Sequence, residues 1–329
     1  MLSFILRRLL IIIPMALLVI SVTWGLIRLA PGTFYSSEKK LPPAIEANIK
    51  RKYGLDQPLG WQYLYMLGNI TCRTKPADMD TENGLQFSIG STTFKCFDFG
   101  DSLKYQGQSV NEIIRRHLPY SAVMGILAYL LALVIGLAAG VIAALKQNSF
   151  WDYGSMALAM LGLSVPNFVF GPILVLFFSL GLYLFPPARW GGAGALVLPV
   201  VTLAAIYAAY IARLMRAGML EVMRSDYIRT ARAKGLDEKT VLLRHAIRGG
   251  IIPVVSFTGP ALAALLAGTV VVERVFAIPG LGNIFIQSVL NRDEPLTLGI
   301  VAFLSILIML FNLAVDISYG FLDPRIRYE

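Results

Sequence analysis

Six long stretches without a charged residue are the feature that most constrains what this chain can fold into. They contain 19, 28, 36, 23, 24 and 21 residues and cover Leu9–Ile27, Leu118–Leu145, Tyr153–Ala188, Trp190–Ala212, Gly249–Val272 and Pro295–Val315. A helix that crosses the hydrocarbon core of a bilayer needs about 20 apolar residues. The sequence therefore predicts an all-α polytopic membrane protein with six transmembrane helices.

The composition excludes a soluble enzyme, because 56% of the residues are hydrophobic and only 15% are charged. In a soluble chain, the net charge of +9 would suggest a nucleic-acid partner. In a membrane protein, basic residues first report topology. We therefore expect the lipid bilayer as the surroundings of this chain and no nucleic acid as a partner.

The distribution of Lys and Arg predicts that both termini are cytoplasmic. With that orientation the short cytoplasmic segments hold fourteen cations, whereas the short external loops hold three, namely Arg189, Arg274 and Arg292. This asymmetry is the positive-inside pattern, which has little force for a connection as long as residues 28–117. The first apolar run is longer than the core of a cleaved signal peptide, so we expect an uncleaved anchor.

Three regions follow from this topology: a first transmembrane helix at 1–30, an extracytoplasmic subdomain at 31–117 and a five-helix core at 118–329. The subdomain contains predicted helices at Pro43–Tyr53 and Pro58–Ile70. A third begins at Ser109, which forms a capping-box spacing with Glu112. In the core, the Gly-x-x-x-Gly pair of Gly136 and Gly140 permits close contact with another helix.

The chain has two cysteines, Cys72 and Cys96, and both lie in the predicted extracytoplasmic subdomain. Disulfides form and persist in oxidising compartments, which lie on that side of the membrane. We expect a disulfide between them, and two unpaired thiols are the alternative.

Motifs for catalysis are absent from the sequence. It contains no zinc-binding His-Glu-x-x-His, no Gly-x-Ser-x-Gly elbow and no phosphate-binding Gly-rich loop. Arg28, Glu273 and Asp316 lie at the edges of spans, where packing partners or interfacial anchors are expected more often than a proton relay. We therefore expect no enzyme, no metal and no cofactor in this chain. An ion-coupled secondary transporter is a less favoured alternative.

The predicted cytoplasmic loop 213–250 carries the most local information. Small or apolar residues recur every four positions at Met219, Met223, Tyr227 and Ala231, which predicts a helix that extends beyond the fourth span. Gly235 then stops the helix after Lys234, and Asp237 can cap a second short helix through Leu242 and Leu243 to His245. The pattern predicts a rigid knuckle. A solvated basic face without function is the alternative.

Residues 227–236, Tyr-Ile-Arg-Thr-Ala-Arg-Ala-Lys-Gly-Leu, resemble the signature loop of bacterial ABC-importer permeases. The resemblance is narrower to the first of the two permeases in oligopeptide and dipeptide importers. Its further motifs are Arg244-His245-Ala246 with Pro253, Arg28-Leu29-Ala30-Pro31-Gly32, Tyr53-Gly54-Leu55-Asp56-Gln57-Pro58, Phe99-Gly100-Asp101-Ser102, Gly140–Lys146, Pro279-Gly280-Leu281-Gly282, Asn291-Arg292-Asp293 and Asp323-Pro324-Arg325-Ile326-Arg327.

Two departures accompany the resemblance. The general importer signature opens with Glu-Ala-Ala, whereas Arg229, Thr230 and Ala231 stand here, and its later proline is delayed to Pro253. The peptide branch resembles this variant. The stretch from about Thr71 to Phe97 looks like an insertion relative to the family.

The resemblance implies an ABC type I importer permease in the bacterial inner membrane that imports oligopeptides. Related permeases for dipeptides, nickel or antimicrobial peptides are alternatives. The implied partners are a second homologous permease, a heterodimer of two ATP-binding subunits and an extracytoplasmic peptide-binding protein. The ATP-binding subunits hold ATP and Mg²⁺. In this reading 213–250 is the coupling loop, and its expected ATPase-contacting residues are Met223, Asp226, Tyr227, Arg229, Thr230, Ala231, Arg232, Ala233, Lys234, Gly235 and Leu236.

Each part of that loop has an implied role. Gly235 sets the bend, Tyr227 and Ala231 pack into a groove of the ATPase, and Arg229, Arg232 and Lys234 pair with acidic groups at its rim.

On the outer side, the segment 274–294 is expected to form a short interfacial helix beside the pore, with Leu281, Ile284, Phe285 and Val289 on one side. Its expected pore-side residues are Phe276, Pro279, Gly280, Leu281 and Phe285, and an interfacial loop without function is the alternative.

Overall fold

Long apolar helices dominate the structure, a computed structural model that describes residues 2–29, 51, 56–75, 85–89, 92–187, 189–268 and 270–322. Four unbroken helices are long and apolar enough to cross a membrane. They are α1 (Leu2–Leu29), α3 (Val110–Leu145), α6 (Gly192–Met223) and α12 (Glu294–Leu322). They match the first, second, fourth and sixth predicted spans.

The third predicted span is a bent pair of helices. Helix α4 (Phe150–Ser164) meets α5 (Asn167–Leu174, continued by a π-helix over Val175–Gly181) at 107°. Pro166 explains the break, because proline lacks an N–H and forces the residue before it out of the helical region. Val165 is accordingly extended, with φ −100° and ψ 119°.

The fifth predicted span, 249–272, corresponds mainly to α9 (Ile252–Gly268). Helix α8 (Glu238–Gly250, with a π-helix over Val241–Ala246) precedes it and meets it at 46°. Each bent pair supplies one apolar span by length and composition, so the structure accommodates up to six spans and confirms the predicted fold class. Three shorter helices complete this part of the chain: α7 (Asp226–Ala233), α10 (Val270–Val275) and α11 (Leu281–Leu290).

The segment between α1 and α3 contains helix α2 (Leu59–Ile70) and a small sheet. The predicted helix at 58–70 is thus present, whereas the one at 43–53 lies outside the described residues except for residue 51. The sheet, which the sequence analysis did not predict, has the order β1-β3-β2 and consists of β1 (Cys72–Lys75), β2 (Leu85–Ile89) and β3 (Thr92–Cys96), all antiparallel.

The start of α3 follows the predicted capping pattern. The Glu112 N–H donates to the Ser109 hydroxyl over 3.1 Å, which satisfies one of the N–H groups that the first turn leaves unpaired. The spacing Ser-x-x-Glu therefore marks the helix start as expected.

The chain divides into two compact units. One combines residues from 1–11, 120–283 and 307–329, and its buried core includes Met124, Ile211, Met215, Leu265 and Phe276. The other combines residues from 12–119 and 284–306, with Ile20, Ile70 and Ala302 at its centre. The predicted division at residues 30 and 117 stays a prediction.

Close helix contacts in the first unit depend on glycine. A methyl group at Gly136 would lie 2.7 Å from Ile211 Cβ, and one at Gly140 would lie 2.6 Å from the carbonyl oxygen of Ala212. The Gly-x-x-x-Gly pair thus brings α3 against α6, in agreement with its prediction as a close helix contact.

Candidate coupling site

The predicted coupling residues lie on α7 and the turn that follows it, which we call the signature segment (residues 226–236). The helix predicted to run unbroken beyond the fourth span is in fact two helices. Helix α6 ends at Met223, and α7 begins at Asp226 after an extended Ser225. The Ser225 hydroxyl donates to the Val222 carbonyl over 2.6 Å, so the serine side chain satisfies a carbonyl at the helix end.

One face of α7 is buried in its own chain. Ile228 is fully buried and Ala231 is 7% exposed, and both belong to the same core cluster as Val241 and Ala246 of α8. This finding corrects the expectation that Ala231 packs into a partner's groove. A residue on the inner face of a short amphipathic helix is not available to another protein.

The outer face of α7 remains exposed. Tyr227 is 49% exposed, and its hydroxyl lies close enough to α8 that a methyl group at Gly249 would approach it to 2.8 Å. The other exposed residues of the signature segment are Asp226, Arg229, Thr230, Arg232, Ala233, Lys234, Gly235 and Leu236. This surface can contact a partner, and that role stays a prediction for each of these residues. Met223, at the end of α6, is partly buried.

Gly235 makes the turn that the sequence predicts. Its φ of +78° is in the left-handed region, which favours glycine. Its N–H donates to the Arg232 carbonyl, and the Leu236 N–H donates to the Ala231 carbonyl, so both ends of the turn are hydrogen-bonded.

Asp237 caps α8 as predicted. Its carboxylate accepts the Thr240 N–H over 3.1 Å. The hydrogen bonds from Thr240 hold the pKa of this carboxyl below its usual value, because they favour the charged form.

Two of the three cations expected at a partner's rim have partners in this chain. Arg232 forms two hydrogen bonds with the Glu238 carboxylate across the turn, at 2.8 and 3.2 Å. Arg229 contacts Asp226 at 3.3 Å. Both pairs are exposed, so they add little stability. The Arg232–Glu238 pair nevertheless joins the end of α7 to the start of α8.

The signature segment rests on a tight crossing of α6 and α8. A methyl group at Gly218 would lie 2.4 Å from the carbonyl oxygen of Gly250, and one at Gly250 would lie 2.9 Å from Met219 Sδ. Backbones this close cannot slide past each other without repacking. A displacement of α7 and α8 is therefore transmitted to α6.

A buried ion pair that the sequence analysis missed holds α6 against α4. The Arg216 guanidinium donates to both oxygens of Asp152 over 2.7 and 2.8 Å, and the Asn148 N–H donates to the same carboxylate over 2.9 Å. Asp152 is 2% exposed. The sequence feature that could have indicated this pair is that Asp152 is the one acidic residue between the second and third apolar stretches.

Two of the expected pore-side residues, Gly280 and Leu281, lie beside another buried carboxylate. Glu273 is fully buried and accepts the Ser121 hydroxyl and the Asn283 N–H, each over 2.7 Å, while Ser121 accepts the Leu281 N–H over 2.8 Å. The carboxylate therefore caps the N-terminus of α11. A methyl group at Gly280 would lie 2.3 Å from the Glu273 carboxyl carbon, which explains the glycine.

The short helix predicted in the outer segment is present as α11, but its environment differs from the expectation. Leu281 and Phe276 are buried, and so are Gly280 and Ile284, whereas Val289 is exposed. Pro279 and Phe285 are partly buried. The structure therefore corrects the idea of one apolar face with Leu281, Ile284 and Val289 together beside a pore.

A second buried carboxylate joins two of the motifs of the resemblance. Asp293 is fully buried and accepts the Ser102 hydroxyl, together with the N–H groups of Leu103 and Lys104 over 3.1 Å. It also accepts the Leu296 N–H over 3.2 Å and so caps α12. Asp293 thus fixes the connection after Gly100 to the start of α12.

The remaining charges at span edges have packing roles. Arg28 donates to Glu294 over 2.7 Å and lies over the Trp24 ring at 5.5 Å. Arg8 contacts Asp316 at 3.1 Å. These contacts agree with the prediction of packing partners.

Cys72 and Cys96 are paired residues in the register of β1 and β3, and Cys96 is disulfide-bonded. That Cys72 is its partner stays a prediction.

Comparison with known proteins identifies the family. Residues 136–328 match the family described as "Binding-protein-dependent transport system inner membrane component", and residues 1–125 match the N-terminal family of the same transport systems. The chain is 42% identical over 330 residues to the oligopeptide transport system permease protein OppB of Haemophilus influenzae, with all of both chains covered. It is 38% identical over 311 residues to the dipeptide transport system permease protein DppB of Bacillus subtilis, with 94% and 93% covered.

The solved structures show the same fold. The inward-facing MetNI methionine ABC transporter has a chain that matches with a TM-score of 0.54 and 20% identity, covering 64% of this chain and 96% of that one.

The prediction that the stretch from about Thr71 to Phe97 is an insertion relative to the family stays a prediction.

Apolar helices, the fold of a solved transporter chain and identity along the whole length lead to one assignment. The chain belongs to the binding-protein-dependent transport system inner membrane component family and is a multi-pass membrane protein.

Proposed function

We propose that this protein is a permease subunit of an ATP-driven importer of oligopeptides. The observation that carries the proposal is the 42% identity over the full length of a relative named as an oligopeptide permease. The relative named as a dipeptide permease is less similar, at 38%. Both termini and the signature segment lie in the cytoplasm in this proposal, as the distribution of Lys and Arg predicts.

The proposed complex contains a second homologous permease, two ATP-binding subunits that hold ATP and Mg²⁺, and an extracytoplasmic peptide-binding protein. Hydrolysis takes place in the ATP-binding subunits, and this chain converts it into movement of its helices. A ligand or partner can shift a conformational equilibrium only by contacting the two states differently. The exposed outer face of α7 is the surface on which an ATP-binding subunit exerts that difference.

The route of the movement follows from the contacts of the signature segment. The buried face of α7 packs on α8, and α8 crosses α6 at Gly218 and Gly250. The Asp152–Arg216 pair then joins α6 to α4. A push on α7 therefore displaces packed helices as a unit, which is how interfaces amplify small shifts.

The experiment is reconstitution of this chain with its partner subunits in proteoliposomes, followed by uptake of labelled peptides of two to six residues. We expect uptake that requires ATP and the binding protein and that favours peptides longer than two residues. Preference for dipeptides would assign the protein to the dipeptide branch. Uptake by this chain alone under an ion gradient would refute the proposal.

A further inference from the structure

Two tyrosines on α6 have hydroxyl groups that make no hydrogen bond to any residue that the structure describes. Tyr207 lies near the midpoint of α6, and Tyr210 is one turn further along; both are partly exposed. The rings of both lie near a third aromatic ring. In contrast, Tyr129 of α3 donates its hydroxyl to Thr258 over 2.6 Å.

An aromatic ring and a cation complete this surface. Phe257 of α9 lies with its ring centroid 6.3 Å from that of Tyr207 and 5.5 Å from that of Tyr210. The Arg213 guanidinium is exposed and lies 5.1 Å from the centroid of the Tyr210 ring. Residues three apart on a helix are neighbours on one face. We call Tyr207, Tyr210, Arg213 and Phe257 the aromatic strip.

Hydrocarbon is a poor environment for this strip. A hydroxyl without a hydrogen bond is costly in an apolar medium, and Arg213, just beyond the predicted span 190–212, adds a positive charge at one end of the strip. Whatever covers the strip must therefore accept hydrogen bonds, offer negative charge and tolerate aromatic surface.

A peptide has all three properties. Its main-chain carbonyls accept hydrogen bonds from phenol hydroxyls, its C-terminal carboxylate can pair with a guanidinium, and its side chains can lie on aromatic rings. The main chain and the carboxylate are common to all peptides. Contacts to them recognise a peptide without selecting its sequence.

We propose that the aromatic strip is a contact site for the main chain and the C-terminal carboxylate of a peptide on its path through the protein. This inference rests on the proposed function. Tyr207 and Tyr210 donate to peptide carbonyls, and Arg213 holds the carboxylate at the end of α6 nearer the signature segment. Because α6 continues without a break from the strip to Gly218 and its contact with Gly250, movement of the signature segment also moves the strip.

The test uses the complete reconstituted complex and one peptide in two forms, the free acid and the C-terminal amide. The double variant Tyr207→Phe/Tyr210→Phe removes both hydroxyls and keeps the rings. We expect its KM for uptake of either form to rise about tenfold, the effect of losing a typical pair of hydrogen bonds. Tyr183→Phe is the matched control, because Tyr183 is an exposed tyrosine outside α6 and outside the strip, and we expect no change.

Arg213→Gln tests the carboxylate contact. We expect the preference for the free acid over the amide to fall at least about fivefold, the effect of a charge-assisted hydrogen bond. The binding protein is the same throughout, so its own preference cancels in the comparison. Arg115→Gln, which neutralises an exposed arginine of α3, should leave the preference unchanged.

Four outcomes would overturn the inference, and they differ from failure of the proposed function. ATP-dependent uptake with an unchanged KM in the Tyr207→Phe/Tyr210→Phe variant would remove the hydroxyls from the path. An equal loss for acid and amide in Arg213→Gln would remove the carboxylate contact. If the strip variants no longer co-purify with the second permease, the strip is a subunit interface. If the variants lose uptake and anionic lipid restores it, the strip is a lipid site. Absence of ATP-dependent peptide uptake by the unaltered complex would instead refute the proposed function.

Discussion

Buried carboxylates explain several short motifs that the sequence alone presents only as loop residues. Glu273 accepts hydrogen bonds from the start of α11 and occupies the space where a side chain at Gly280 would be. Asp293 receives the N–H groups of Leu103 and Lys104 and caps α12. Each carboxylate has several donors, and that is the condition under which a buried charge is tolerated.

Gly280→Ala is expected to destabilise the protein by about 2 kcal/mol, because its methyl group would overlap the Glu273 carboxylate in a packed site. The measurement is the apparent unfolding temperature of the purified protein in detergent. Gly154→Ala is the control, since no atom lies within 4 Å of a methyl group there. Equal unfolding temperatures for the two variants would show that Gly280 has no packing role.

Gly235→Val is expected to abolish peptide-stimulated ATP hydrolysis in the complete complex while leaving membrane insertion intact. A Cβ atom at this position would meet no described atom within 4 Å, so we assign the defect to the backbone: a β-branched residue at φ +78° costs at least about 1–2 kcal/mol. Gly235→Asn is the control, because asparagine tolerates this region. Normal stimulation in the valine variant would contradict the role of Gly235 as the bend of the knuckle.

At the scale of elements, close crossings and a buried carboxylate join helices of the first unit. Gly136 and Gly140 bring α3 onto α6, and Gly218 and Gly250 bring α8 onto α6. Arg216 then ties α6 to α4 through Asp152. Helix α6 is therefore the common partner of the helices around it.

Asp152→Asn is expected to lower the free energy of unfolding by about 2–3 kcal/mol. Removing one partner of a buried pair leaves the other uncompensated, and the partial exposure of Arg216 moderates that cost. Glu112→Gln is the control, because its pair with Arg116 is exposed on both sides and should change stability by less than about 0.5 kcal/mol. Denaturation in detergent compares the two, and equal effects would show that Asp152 is not a tie between helices.

The small sheet gives a prediction about its cysteines. We expect neither thiol of the native protein to react with an alkylating reagent until a reductant is added, because Cys96 is disulfide-bonded. Mass spectrometry with and without reductant measures this. Reduction should lower stability by about 3 kcal/mol in the chain-entropy view. Alkylation without reductant would establish the alternative of two unpaired thiols.

At the scale of the whole molecule, the question is which side of the membrane each segment faces. Fourteen cations against three in the short connections predict that the signature segment and both termini share the cytoplasmic side. The connection between α1 and α3, with its disulfide-bonded sheet, then lies outside. That arrangement puts the disulfide where oxidising conditions maintain it.

Labelling of single introduced cysteines tests this topology directly. Lys234→Cys should react with a membrane-impermeant maleimide only after the cells are permeabilised, whereas Gln106→Cys should react in intact cells. Both positions are exposed, so accessibility depends on the side of the membrane. The unaltered chain is the control for background labelling. The reverse pattern would invert the predicted topology.

The local features of the fold could be predicted because their causes lie within a few residues. The apolar stretches fix the spans, Ser109 and Asp237 cap the helices that follow them, and Gly235 ends α7. Each depends on a short pattern of residue types. The signature segment could be located for the same reason.

Features that depend on distant partners could not be predicted. The break at Ser225 puts Ile228 and Ala231 into the core, which a four-residue repeat alone does not show. In the sequence, Pro166 is the one sign of the 107° bend. It does not predict the angle, because many prolines kink a helix without breaking it. The sequence does not indicate which donors hydrogen-bond to Asp152, Glu273 and Asp293.

The sequence by itself determined that this chain spans a membrane, where its helices start and stop, and which family it belongs to. Chain length, apolar composition and short capping patterns are properties of consecutive residues. Only the tertiary structure decided that Ala231 faces inward, that Glu273 and Asp293 are caps, and that the Tyr207 and Tyr210 hydroxyls find no hydrogen-bond partner among the described residues. Burial and hydrogen bonding depend on residues brought together from far apart in the chain, and those are the properties that separate a structural residue from one available to a ligand.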